Sequence, residues 1–238
     1  MSKGLVIIPT YNESENIEKI IDIVLRQSNN LEILIIDDNS PDKTALIVKK
    51  LAATNPKIHL IERASKLGLG TAYVTGFKYM LEHDYDYCFE MDADFSHNPN
   101  DLPRFIELID KYDLIIGSRY SEGVSVINWP MKRLLLSFFA CTYARIVTGC
   151  PVRDLTAGFK CYSRKALAGI SLDKLKSDGY GFQIEIDFMI WRKCFRIKEI
   201  PIIFEERRVG TSKMSKHIIY EAFLLVLRLR LQCILGLI

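Results

Sequence analysis

A mostly parallel α/β sheet with helices on both faces is the fold class this chain predicts, and three observations predict it. Short apolar runs alternate with segments of helical period along the first half of the chain, the pattern that calls for right-handed crossovers. The runs are apolar almost throughout, as strands buried on both faces must be. Most of the runs also end in a cluster of polar residues, and beyond the carboxyl ends of parallel strands is where such sheets collect ligands.

Taken in order, GLVIIPTYNE reads as a strand entering a turn, and ESENIEKIIDIVLRQ as a helix with Ile17, Ile20, Ile21 and Val24 on one face. LEILIIDDNSPDKT repeats the pattern, with Asn39, Ser40 and Pro41 breaking the strand and TALIVKKLAAT following as a helix. KIHLIERA and TAYVTGFKYMLEH form the third strand and helix, YDYCFEMDAD and DLPRFIELIDK the fourth pair, and DLIIGSRY the fifth strand. After about residue 122 the rhythm changes to a long helix MKRLLLSFFACTYARIV, a turn TGCPVRDLTAG, a short strand FKCYS, further helices and the strand IKEIPIIFEER. These read as one domain over 1–217, with a first half 1–121 and a second half 122–217 that serves a different ligand, followed by a helix over 218–238.

Bulk properties narrow the class. A chain of 238 residues with 49% hydrophobic and 26% charged residues buries a sizeable core. A net charge of +3 gives no case for nucleic acid. The charges are sorted, however: Glu13, Asp37, Asp38, Asp92 and Asp94 lie in the first half, and Lys132, Arg133, Arg207, Arg208 and Lys213 in the second. The six cysteines form no C-x-x-C pair and no finger spacing with histidine, which argues against zinc and for reduced thiols in a cytoplasmic setting. The start MSKGLVIIPTYN lacks the shape of a secretory signal.

The final segment IIYEAFLLVLRLRLQCILGLI is long enough to span a bilayer but carries Glu221, Arg228, Arg230 and Gln232. At about 100° per residue, Glu221, Arg228 and Gln232 fall within about 20° of one another and Arg230 roughly opposite. A helix lying in a membrane interface or on a partner fits this stripe better than a spanning one, and packing on the protein's own core is the other reading.

Three polar clusters converge at strand ends: Pro9-Thr10-Tyr11-Asn12-Glu13, Asp37-Asp38-Asn39-Ser40 and Asp92-Ala93-Asp94. Each alone could be a turn or a cap, as Asp42 before KTALIV could be. Together they put carboxylates at neighbouring strand ends, where a cation, a hydroxyl-rich ligand or basic side chains must compensate them. Asp92 and Asp94 form a D-x-D pair of hard oxygen donors suited to Mg²⁺ or Mn²⁺, which leave room for phosphate oxygens.

VIIPTYNE, IIDDNSPDKT, KLGLGTAYVTGF, MDADFSHNP, GSRY and RDLTAGFKCYSR, in this order and spacing, resemble family 2 inverting glycosyltransferases of the GT-A fold, within it the dolichol-phosphate (polyprenol-phosphate) mannosyl synthases. The resemblance runs from Leu5 to about Lys213. It implies a Rossmann-like sheet and transfer of mannose from GDP-mannose to dolichyl or polyprenyl phosphate with inversion, dependent on Mg²⁺ or Mn²⁺. By residue, it implies that Pro9, Tyr11 and Glu13 hold the nucleoside, that Ile36 and Asp38 flank the base, and that Asp92, Ala93 and Asp94 address ribose, metal and donor sugar. Asp94 becomes the direct metal ligand, with Asp92 and Ser96 assisting, although some relatives have glutamine where this chain has Ser96. Arg119, Arg207 and Lys213 match basic positions that hold phosphate or sugar; a solvated strand edge is the plainer reading of Arg207 and Arg208.

The acceptor side is read from MKRLLLSFFACTYARIV, where Lys132 and Arg133 precede a run of Leu and Phe, cations beside an apolar surface for a lipid phosphate; an ordinary core helix is the alternative. Ser137 is grouped with Arg119, Lys132 and Arg133 as acceptor-binding, and Asp154 and Thr156 are expected in the sugar pocket. An ionised phosphate acceptor needs no general base, so His97 is expected to shape its loop, and catalysis falls to positioning and charge stabilisation by Asp94, Arg119, Arg207 and Lys213. The expected partners are the two substrates, a membrane surface and a small membrane-anchor subunit, at the cytosolic face of the endoplasmic reticulum or a bacterial plasma membrane. Rival readings are glucosyl or another glycosyl transfer to the same lipid, and a non-catalytic nucleotide-sugar-binding subunit. A dinucleotide-binding protein is excluded because no G-x-G-x-x-G follows the first strand; KLGLG stands before the third helix.

Overall fold

The computed structural model describes residues 2–205 and 216–236, with side chains from residue 222 onward in the second stretch. Its first half alternates β1 (Gly4–Thr10), α1 (Ile17–Gln27), β2 (Leu31–Asp37), α2 (Thr44–Ala52), β3 (Ile58–Glu62), α3 (Leu69–Glu82), β4 (Tyr87–Glu90), α4 (Leu102–Ile106) and β5 (Leu114–Ser118). There follow β6 (Val126–Ile127), α5 (Met131–Thr148), β7 (Lys160–Ser163), α6 (Arg164–Ala168), α7 (Gly179–Arg192), β8 (Ile197–Pro201), β9 (Phe204–Glu205) and α8 (Lys216–Ile234).

Seven strands form one sheet in the order β3-β2-β1-β4-β7-β5-β8. All pairings are parallel except those of β7, which runs antiparallel between β4 and β5. Alternate residues of the central strands feed opposite layers. Leu5, Ile7, Leu34 and Ile36 pack under α3 and α7; Val6, Ile8, Ile33 and Ile35 pack against the α1 face, where Ile17, Ile20, Ile21 and Val24 are all buried as their spacing predicts. This two-sided burial is why the runs lack polar alternation.

Three features depart from the expected pattern. The fourth helix ends at Ile106, because beyond it the backbone tightens into i→i+3 bonds such as Leu108 N–H to Phe105 O and Lys111 N–H to Leu108 O. The third helix begins at Leu69, so the KLGLG segment forms its entry, with Gly68 at φ +99°. A second parallel ribbon, β6 with β9, stands beside the main sheet. Within α3, Gly76 lets the helix lie on β1, since a Cβ there would come 2.6 Å from Ile7 Cγ2.

The last helix packs on the protein's own core, one of its expected readings. Leu225, Val226 and Leu229 are buried in the core layer shared with α7, and Phe223 stacks on Tyr143 of α5 at 4.8 Å. Phe223, Leu224, Leu227, Leu231 and Ile234 are nevertheless exposed, as are Met131, Leu135, Phe138, Phe139 and Ile146 on α5. Among the described residues no helix is long and apolar enough to cross a membrane.

At the amino edge of the sheet, Glu32 receives Lys3 at 2.7 Å, His59 at 2.8 Å and the Tyr85 hydroxyl. Burial alone would raise its carboxyl, but the bonds from Lys3, Tyr85 and His59 outweigh it and hold the pKa near 2, below the ordinary 4.5. The folded protein therefore binds fewer protons here than the unfolded chain between those two values. The stabilisation is complete above about pH 4.5 and fades as pH falls towards 2. Urea unfolding of wild type and Glu32→Gln should show a stability difference that is constant from pH 7 to about 5 and shrinks steadily below.

Candidate active site

Parallel strands bring the loops after β1, β2 and β4 to one edge, and a cleft of about 350 Å³ opens there. It is lined by Pro9, Tyr11, Glu13, Asp38, Asp92, Ala93, Asp94, Ser96, Arg119, Arg133 and Thr156 among the residues expected from sequence. Local chemistry explains how each loop is held. In the first two, Asn12 and Asn39 take up φ of 62° and 58°, a region asparagine tolerates, and Asn12 N–H donates to Ser40 Oγ. Asp37 is wholly buried and accepts from Thr10 Oγ1, Ser40 Oγ and Ser40 N–H, so it is the brace of the two turns. Asp38, the next residue, faces the cleft and is bound by Arg63, whose other nitrogens reach Thr71 Oγ1 and Gly68 O. Lys66 lies 4.1 Å from the Tyr11 ring centroid, so the KLGLG segment forms a wall opposite PTYNE.

The D-x-D loop is tightly made. Phe95 adopts φ 62°, a strained choice for a bulky residue. Asp94 Oδ1 accepts from Ser96 N–H at 3.0 Å, and Asp92 N–H donates to His97 Nδ1 at 3.1 Å. His97 is buried, stacked on Phe159 at 5.1 Å. Its ring thus holds the D-x-D backbone, as the loop-shaping reading has it. Beneath lies Tyr73, whose phenol is pushed well above its ordinary pKa by burial and then by the charges of Asp92, Glu90 and Asp94. Asp92 and Asp94 thus share one neighbourhood above Tyr73.

That donor set fits a hard divalent cation. Asp92, Asp94 and Ser96 offer only oxygen, and Ser96 Oγ is buried with no hydrogen-bond partner among the described residues. No group of three or more His, Cys, Asp or Glu side chains among the described residues is arranged to hold a metal. The protein would supply a partial shell, leaving positions for a ligand's oxygens.

Arg119 is anchored by Asp154. Its backbone N–H and Nε reach Oδ2 at 2.8 Å, and Nη2 reaches Oδ1 at 2.6 Å and Thr156 Oγ1 at 2.7 Å. Burial alone would push the Asp154 carboxyl up; the charge and hydrogen bonds of Arg119 overcome it and hold it below the usual range. The guanidinium carbon lies 5.3–5.7 Å from the rings of Tyr120, Trp129 and Phe204, and Arg133 stacks on Trp129 at 4.3 Å.

Four expected positions lie elsewhere. Ile36 is fully buried in the layer under α3, on the inward side of the β2 alternation. Asp154 is fully buried behind Arg119 and does not line the cleft. Lys132, in the first turn of α5, is exposed and outside the cleft, while Arg133 one residue on is turned into it. Ser137 Oγ accepts from Tyr120 OH and is likewise outside the lining. Arg207 and Lys213 lie outside the described residues. Sequence reasoning missed Arg63, Lys66, Trp129, Asp178, Gln183 and Phe204. Only the KLGLG segment carried a signal, a glycine-rich entry to a helix; there Gly70 N–H donates to Asp178 Oδ1 at 2.7 Å.

In fold the chain is similar to glucosyl-3-phosphoglycerate synthase from Mycobacterium tuberculosis, with a TM-score of 0.68 and 17% identity over 96% of this chain and 80% of that one. A structure of that protein in complex with Mn²⁺, uridine diphosphate and glucosyl-3-phosphoglycerate matches at 0.66 and 18%, with the same coverage. Sheet order, strand-end cleft and D-x-D loop define a glycosyltransferase of GT-A-like fold. Residues 5–170 match glycosyl transferase family 2. The undecaprenyl-phosphate mannosyltransferase of Micrococcus luteus is 43% identical over 94% of this chain and 92% of its own length. The polyprenol monophosphomannose synthase of Mycolicibacterium smegmatis is 45% identical over 92% and 84%. The chain belongs to glycosyl transferase family 2.

Removing one member of the Arg119–Asp154 pair leaves a buried charge uncompensated. Arg119→Leu alone should lower stability by ~3–5 kcal/mol in urea unfolding, and the double variant Arg119→Leu/Asp154→Leu should recover most of that loss.

Proposed function

We propose that the protein transfers mannose from GDP-mannose to a polyprenyl phosphate, with inversion, forming the β-linked mannosyl phosphopolyprenol. The observation that carries this reading is the cleft itself: it is lined both by the D-x-D loop and by Arg133 on Trp129, where α5 begins its row of exposed apolar side chains. A lipid phosphate joins an anionic head to an apolar tail, and this end of the cleft offers a cation beside grease. The two bacterial relatives bear names for the same reaction class.

On this reading Pro9, Tyr11, Glu13 and Asp38 hold the nucleoside, and Asp92, Asp94 and Ser96 hold Mg²⁺ or Mn²⁺. A bound divalent cation would neutralise charge on the donor diphosphate. Arg119 presents its charge from a fixed seat, because Asp154 and Thr156 take up two sides of its guanidinium. Arg133 receives the acceptor phosphate, and Arg207 and Lys213 match basic positions that hold phosphate or the donor sugar. The acceptor oxygen is ionised at neutral pH, so no base is needed, and His97 stays committed to the backbone of Asp92. The exposed faces of α5 and α8 rest on a membrane surface, the enzyme sitting peripherally on its cytosolic side.

Incubation with radiolabelled GDP-mannose and polyprenyl phosphate should put label into the organic extract, and EDTA should abolish it. Asp94→Asn should fall below about 1% of wild type, the scale of losing one electrostatic contact to developing charge, with its circular dichroism spectrum unchanged. Label from UDP-glucose alone would overturn the mannosyl assignment, and label from neither donor would overturn the enzymatic reading.

A further inference from the structure

The helix α7 carries Gln183 into the wall of the cleft. Its side chain is 97% buried, and its amide is oriented. Nε2 donates to Glu90 Oε2 at 2.9 Å, while the other carboxylate oxygen of Glu90 accepts from Tyr162 OH at 3.1 Å. With Nε2 committed to an acceptor, Oε1 points its lone pairs elsewhere. Among the described residues that oxygen, buried in the cleft wall, has no hydrogen-bond partner. A buried acceptor left unmatched costs about 1–3 kcal/mol, so its place in a ligand cleft calls for a donor from the ligand.

The neighbours say which part of a ligand arrives. A Cβ at Gly158 would lie 4.0 Å from Gln183 Nε2 and 3.5 Å from His97 Cε1, so Gln183, Gly158 and His97 stand side by side, and the missing side chain of Gly158 keeps that corner open. His97 in turn holds Asp92, which places the corner next to the D-x-D loop. Ionised phosphate oxygens carry no hydrogen and would be repelled by Oε1. A sugar ring carries several hydroxyl donors. We propose that Gln183 reads the donor's sugar: its Oε1 accepts a hydrogen bond from one hydroxyl of the hexose, and this contact separates the nucleotide sugar from the bare nucleotide and from sugars lacking that hydroxyl. Sites that hydrogen-bond a substrate hydroxyl discriminate strongly against analogues without it, because the protein group is then left unmatched. A neutral amide suits the position, since a carboxylate there would repel the diphosphate. The inference rests on the reading of the cleft as a nucleotide-sugar site.

The test is calorimetric titration of the full chain with Mg²⁺ present and no lipid phosphate, using GDP and GDP-mannose on wild type and Gln183→Met, a variant of similar volume. GDP affinity should stay within about two-fold, whereas GDP-mannose should bind about ten-fold more weakly to the variant. In parallel, GDP-mannose analogues each lacking one hydroxyl are titrated. One of them should lose about ten-fold on wild type and nothing further on Gln183→Met. Equal losses for GDP and GDP-mannose, or no loss for either, would overturn the proposal by making Gln183 structural or idle. Should Gln183→Met fail to fold, Gln183→Leu replaces it, and a wild type indifferent to every missing hydroxyl overturns the proposal on its own. A wild type that binds UDP-glucose and not GDP-mannose overturns only the mannosyl reading; the same comparison with UDP and UDP-glucose then decides Gln183 separately. Binding of no nucleotide overturns both.

Discussion

The buried pair of Arg119 and Asp154 is the constraint on which the Arg119 side of the cleft depends. Arg119 follows the last residue of β5, and Asp154 lies in the loop that leads from α5 into β7. Their contact joins the carboxyl end of β5 to the approach of its antiparallel neighbour, across 35 residues of sequence. Both side chains are almost wholly removed from water, where two charges persist only if their geometry is nearly ideal and their remaining hydrogen-bonding groups are met. Here Asp154 accepts from the Arg119 backbone and guanidinium together, and backbone N–H of Asp154 and of Arg153 are taken up by Glu199 on β8. The arginine is thereby positioned by covalent neighbours and by three elements at once, before any ligand arrives.

The same economy of charge recurs along the strand ends. Asp38 is matched by Arg63, Asp178 by the Gly70 N–H, and Asp37 by hydroxyls and a backbone N–H. Much of the acidity that looked, in sequence, like charge awaiting a cation is therefore internal bracing. The oxygen donors that suit a metal are those of the D-x-D loop, two carboxylates and the Ser96 hydroxyl. A site reduced to so few protein ligands suits a cation that arrives with, or is completed by, phosphate oxygens.

How much of this was legible follows from the range of the interactions. Local periodicity placed every strand of the main sheet and the buried face of α1, because burial on two sides and a 3.6-residue stripe are written into consecutive residues. The clusters Pro9 to Glu13 and Asp92 to Asp94 were legible because each sits at the carboxyl end of a strand, where such sheets collect ligands, and Ser96 was legible through the family resemblance. Strand direction was not legible for FKCYS, since an alternation of period two reads the same from either end. Nor were partners distant in sequence. Nothing local in GSRY tells that its arginine meets Asp154, or in NWP that Trp129 stacks under Arg133. Ile36 illustrates the converse: next to Asp37 in sequence, it alternates to the opposite side and into the core.

The antiparallel insertion of β7 explains why the cleft has a polar floor at all. It sets Lys160 opposite Glu90 in the register of β4 with β7, and Lys160 reaches Asp187 of α7 at 2.7 Å with both side chains fully buried. Burial pushes the Glu90 carboxyl up to about 8 and Asp187 up to about 7, with Lys160 opposing the rise in each. A slip of β7 by one residue would turn Lys160 to the other face of the sheet and strand both acids beneath apolar helices. The loss of the Lys160–Asp187 contact and of Lys160 beside Glu90 therefore disfavours that slip and favours one seat of α7 on β7. The seat matters because Lys160 also donates to the carbonyl of Gln183, on the turn of α7 that reaches the cleft. Glu90 stands two residues before Asp92 on the same strand end. One buried network thus sets the positions of the D-x-D loop and of the amide facing it, and the distance between them is decided inside the sheet, where water and substrate do not reach.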